Sequence, residues 1–151
     1  MATQGFEFAY SLLGGNYTPV IRDFAVDGTG AYNKGDLCVI NSDGQLARVT
    51  GSTTEVTAVI QETRTSGSDG DIMKAAIITP TQVWRCSMDA ATTTAVVYHT
   101  KTLDTVDHKS IDADDITNGR MMPVDVSQKD GAGNVLAYVT FRVTSVGNAQ
   151  T

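Results

Sequence analysis

Lys34-Gly35-Asp36-Leu37-Cys38-Val39-Ile40, then Asn41-Ser42-Asp43-Gly44, then Gln45-Leu46-Ala47-Arg48-Val49, is the stretch that decides the fold class. Two runs that suit a pleated surface flank a turn made of residues that tolerate tight backbone. Two longer apolar runs follow, Glu55-Val56-Thr57-Ala58-Val59-Ile60-Gln61-Glu62 and Asp71-Ile72-Met73-Lys74-Ala75-Ala76-Ile77-Ile78-Thr79. A step through Pro80 leads to Gln82-Val83-Trp84-Arg85-Cys86. Runs of strand length separated by Gly, Ser, Asp and Asn predict a β-meander over residues 34–84. No catalytic motif lies on it.

Outward from that core, Gly5 to Leu13 reads as a strand in which Phe6, Phe8, Tyr10 and Leu12 alternate with Glu7, Ala9 and Ser11. Period 2 puts the four large apolar groups on one face. Gly14-Gly15 is a hinge. Residues 1–17 are therefore either a first strand docked on its own domain or an extended arm lying on a partner. Thr18 to Val26 predicts a second strand. Toward the other end, Pro123 places the strand Met121 to Ser127 at an edge or bulge. Asp130-Gly131-Ala132-Gly133-Asn134 is a turn. In Val135 to Val143, the residues Val135, Ala137, Val139, Phe141 and Val143 share one face. Leu136 and Tyr138 make the other face half apolar, which predicts contact there with something besides water. One domain over residues 18–145 follows, with a frayed tail at 146–151.

A chain of 151 residues suffices for one domain with a real core. Its net charge of −6 and singly spread cations provide no footprint for nucleic acid or for an anionic membrane surface. Met1 to Leu13 lacks the pattern of a signal peptide, and no run reaches the length of a membrane span, so synthesis in a cytoplasm is expected. Cys38 and Cys86 then read as two buried reduced thiols, although the sequence leaves a disulfide between them open.

Little here suggests catalysis. His99 and His108 stand alone among polar or acidic loop residues and read as solvated surface groups, without metal-pair spacing. Gly67 and Gly70 lack the ending and the following helix of a phosphate loop. The acidic run Asp104, Asp107, Asp112, Asp114 and Asp115 fits a calcium loop only at Asp112 and Asp114, because Ile116 takes the next alternate position. It reads as a solvated loop or single helical turn. No catalytic, metal or cofactor site is expected.

Lys34-Gly35-Asp36-Leu37, the turn Asp43-Gly44-Gln45-Leu46 and the strand Thr57-Ala58-Val59-Ile60-Gln61, followed by Asp71 to Thr79, resemble in that order the capsid decoration (cement) proteins of tailed bacteriophages. The family's Gly in the Ala-Val-Gly-like strand is absent here. The resemblance implies an all-β fold: a single small β-barrel or β-tulip-like domain with an extended N-terminal segment and few or no helices. It implies a homotrimer on the outer capsid surface of a virion, which bridges major capsid protein subunits and stabilises the shell. On that reading Phe6, Phe8, Tyr10 and Leu12 are candidates for the capsid- or neighbour-facing surface. Trp84, Leu136 and Tyr138 are candidates for the subunit interface, a core role for Trp84 and Tyr138 remaining open. A carbohydrate- or host-surface-binding β module of a virion, using Tyr98 and the Asp-rich loop, is the alternative. An enzyme site shared between subunits around Asp107 and His108 is a third.

Overall fold

Among the residues that the computed structural model describes (5–51, 53, 55–90 and 101–146), the β-favouring runs form nine strands and no helix. They are β1 (Glu7–Ser11), β2 (Ile21–Ala25), β3 (Leu37–Ile40), β4 (Leu46–Arg48), β5 (Ala58–Ile60), β6 (Ile72–Ile77), β7 (Gln82–Ser87), β8 (Met121–Lys129) and β9 (Val135–Phe141). Two antiparallel sheets result, ordered β1-β7-β9-β8 and β2-β6-β5-β3-β4. The fold is all-β. No closed barrel forms among the described residues.

The expected meander is only partly present. β3 and β4 form the predicted hairpin, with Gly44 supplying the positive φ of 79° its turn requires. However, β5 returns to the far side of β3 and pairs Ala58 with Cys38, so β4 is left at an edge. After Pro80 the chain leaves this sheet altogether, and β7 joins the other one. Sequence spacing is the same whether a strand pairs with its neighbour or skips it, so this reordering has no local signature.

The five-stranded sheet is covered on both faces. Leu37, Val59 and Ala76 face the four-stranded sheet and share the main core with Trp84, Val139 and Phe141. Cys38, Ala58, Ile60, Met73 and Ala75 point the other way into a second core, closed by Val26, Tyr32 and Leu46. Burial on both faces explains why β3 and β5 read as continuous apolar runs. Tyr32 ties this second core down: its hydroxyl donates to the Asp27 carbonyl, and Arg48 lies 4.8 Å over its ring.

β9 has the predicted alternation, with Val135, Ala137, Val139 and Phe141 all buried. Val143 does not share that face. β9 ends at Phe141, and a turn closed by Ser145 N–H donating to the Arg142 carbonyl at 2.9 Å turns Val143 outward. Pro123 lies in an edge strand next to a register shift, as its missing N–H requires.

The acidic segment is not a free loop. Leu103, Thr105 and Ile111 are buried, and bridges at Leu103–Met121, Thr105–Ile111 and Met88–Ile111 weave it into the sheet end. Tyr98, His99 and the tail after Val146 lie outside the described residues.

Candidate functional site

The four apolar residues of the first strand do not share a face. A bulge at Ala9 shifts the register from Phe8↔Trp84 to Tyr10↔Val83, which rotates the strand between its halves. Phe6 is 2% exposed and rests on Phe141, ring centroids 5.8 Å apart. Phe8 is half-buried and meets Trp84 edge-on at 5.7 Å. Tyr10 and Leu12 point out to solvent. Within this chain the predicted contact stripe is thus half core and half surface. No Gly or polar residue at Ala9 announces the bulge.

The three interface candidates separate in the same way. Trp84 is fully buried, with Nε1–H donating to Gln82 Oε1 at 3.1 Å. Leu136 and Tyr138 stand half-buried on the outer face of the four-stranded sheet. Beside them Arg85 Nη2 donates to Glu7 Oε1 at 2.8 Å, which fastens β1 to β7. The Glu7 carboxylate, then the Tyr138 hydroxyl, push the Arg85 guanidinium further up.

A cluster of exposed apolar side chains lies where β1 runs out. Leu13 and Tyr17 are 65% and 66% exposed, and Leu12, Val20 and Ile21 are exposed with them. Leu13, Tyr17, Val20 and Ile77 line an open groove of about 270 Å³ between the β1–β2 connection and the start of β2. Backbone bonds fix its walls: Leu12 N–H donates to the Thr81 carbonyl, and Ile77 N–H to the Val20 carbonyl. The sequence carried one sign of this surface. Leu12 and Leu13 are consecutive before a Gly-Gly hinge, and neighbours on a strand cannot both face one core.

His108 is not a solvated surface group. It is half-buried, with Nε2 3.7 Å from Asp36 Oδ1. Asp36 is 1% exposed, and its Oδ2 accepts from Asn33 N–H at 2.9 Å. Burial pushes the Asp36 carboxyl up, against the Asn33 hydrogen bond and the His108 charge. Burial also pushes the His108 imidazole down, against the attraction of Asp36. Asp107 behaves differently. Burial would raise it, but hydrogen bonds from Lys109 N–H and Ser110 hold it below the usual carboxylate range.

Cys38 and Cys86 are both buried thiols outside any disulfide, and burial pushes both well above their ordinary range. No group of three or more metal-ligating side chains gathers among the described residues. Compared with known proteins, the chain matches no family model, no curated protein and no solved structure.

Proposed function

We propose that this chain is a non-catalytic adhesion protein of a virion. It decorates the outside of an assembled tailed-phage capsid as a homotrimer, bridges major capsid protein subunits and stabilises the shell. The single observation that carries this reading is the apolar surface of Leu12, Leu13, Tyr17 and Val20. Apolar groups clustered on the outside of a small domain mark a surface meant for another protein. Aromatic and aliphatic anchors of this kind concentrate binding energy once desolvated, and many copies on one lattice add avidity. The barrel-like closure the resemblance implies would run through the Val56–Val146 bridge, which links the region beside β5 to the turn that follows β9.

The test is to mix the protein with expanded tailed-phage capsids stripped of their decoration protein. Bound density is then imaged, and shell survival on heating is measured. Density at capsomer junctions and a higher shell melting point are expected for the wild type. Leu13→Asp and Tyr17→Asp should abolish both while keeping the fold. Absence of wild-type binding overturns the proposal.

A further inference from the structure

At the opposite end of β1 from the apolar surface, a second and larger groove of about 700 Å³ opens between the two sheets. One wall is β1 and the residues leading into it, Gly5 to Phe8. The other is the turn Asn33 to Asp36 with Gln61 and Lys109. The walls are pinned where they meet: Phe6 N–H donates to the Gly35 carbonyl at 2.8 Å, and a Cβ on Gly5 would stand 2.6 Å from that carbonyl oxygen. The groove is thus a built feature of the sandwich mouth.

Its charge is unlike that of the whole chain. Lys34 and Lys109 line it, and neither forms an ion pair among the described residues. Both acids on its walls are answered already. Glu7 is bound by Arg85, and Asp36 is buried against His108 with one oxygen held by Asn33. Two lysines without an ion pair among the described residues therefore line the opening, Lys109 also acting on the buried Asp36 carboxyl, in a protein whose net charge is −6.

The first strand also matters to what could lie there. Among the described residues β1 is an outer strand whose sheet partner is β7 alone, and past Phe6 no described strand lies along its other edge. Such an edge offers backbone donors and acceptors to an extended chain. An ionised phosphate can accept from the donors of such an edge but has nothing to give its carbonyls, whereas an extended chain satisfies both. Three acids of this chain's own acidic segment are committed elsewhere: Asp104 to Arg120, Asp107 to Ser110, and Asp112 to the N–H groups of its own turn.

We infer that this groove receives an extended, acidic peptide segment of a partner protein, with Lys34 and Lys109 meeting its carboxylates and the β1 edge meeting its backbone. This goes beyond the shell-binding surface and does not depend on it, since the two grooves share no residue.

The experiment is fluorescence anisotropy with the full chain and three labelled ten-residue probes. These are alternating valine and glutamate, alternating valine and lysine, and the acidic peptide with two valines replaced by proline. The acidic peptide should bind at least tenfold tighter than either of the others, and 0.5 M salt should weaken it. Lys34→Glu/Lys109→Glu should weaken it more than tenfold, with Lys34→Gln/Lys109→Gln as the milder pair if the first fails to fold. Equal binding of the three peptides, no binding, or equal displacement by an oligothymidylate overturns the proposal. So does a fall in the protein's sedimenting mass on the double change, which would put a second copy of this chain in the groove.

Discussion

His108 Nε2 stands 3.7 Å from Asp36 Oδ1, and the two groups are pushed by burial toward the same neutral state from opposite directions. The imidazole titrates below its ordinary 6.5 in the folded chain, so the unfolded chain takes up the proton first. Stability is therefore lost as pH falls through 6.5 toward the lowered value. Asp36 titrates above its ordinary 3.8, so the folded chain takes up that proton first. Stability is regained as pH falls from the raised value toward 3.8. Denaturant midpoints measured from pH 8 to 4 should show the first loss removed in His108→Asn and the recovery removed in Asp36→Asn. Unchanged profiles in both variants would refute the pairing.

Arg120 is 3% exposed, its Nε held by Asp104 and its Nη2 donating to the Thr105 hydroxyl. Nη1 finds no acceptor among the described residues. Removing one side of such a buried pair leaves a charge without an answer. Asp104→Ala should cost about 3–5 kcal/mol by denaturant unfolding. Asp104→Leu/Arg120→Met should recover most of that loss, since apolar groups of similar volume do not need the partner.

The bulge at Ala9 predicts two kinds of behaviour within one strand. Phe6→Ala should lose about 3–5 kcal/mol, the cost of an unfilled aromatic site in a packed core. Leu12→Ala should change stability by less than about 0.5 kcal/mol, because its side chain already meets water. Equal losses at both positions would mean that the strand is not divided as described.

Gly119 has a backbone role. A Cβ there would stand 2.1 Å from the Leu103 carbonyl oxygen, which is itself bonded into a strand bridge through Met121. Neither side can yield without breaking that bridge. Gly119→Ala should destabilise by about 2–3 kcal/mol, at the upper end of overpacking costs. A thermal midpoint unchanged from wild type would contradict it.

Both thiols should be silent toward a disulfide-exchange reagent under native conditions and react together on unfolding. Fast reaction of either one in the folded chain would contradict their burial.

The fold class was legible because strand vocabulary is local. The runs at Leu37–Ile40, Ile72–Ile77 and Val135–Phe141 carry their own propensity, and turn residues mark their ends. Pairing order was not legible, because β5 choosing β3 over β4 is settled by the second core under Tyr32 and Val26. Alternation misled at β1, where one unmarked bulge reversed the outward residues, and at Val143, where a turn ended the strand early. His108 looked like a surface group because the Asp36 that meets it lies seventy-two residues earlier (108 − 36). Tyr17 had no local signal, since only the folded chain brings Val20 and Ile77 to the groove it lines with Leu13.

The division of β1 at Ala9 also decides how the chain would bear force. A tug on Leu13 along the strand axis is passed to the rungs joining β1 with β7, and to the Glu7–Arg85 clasp behind them. Those rungs lie across the pull and strain together instead of opening one after another. Phe6, wedged against Phe141 at the far end, then acts as the stop that keeps the strand from sliding out.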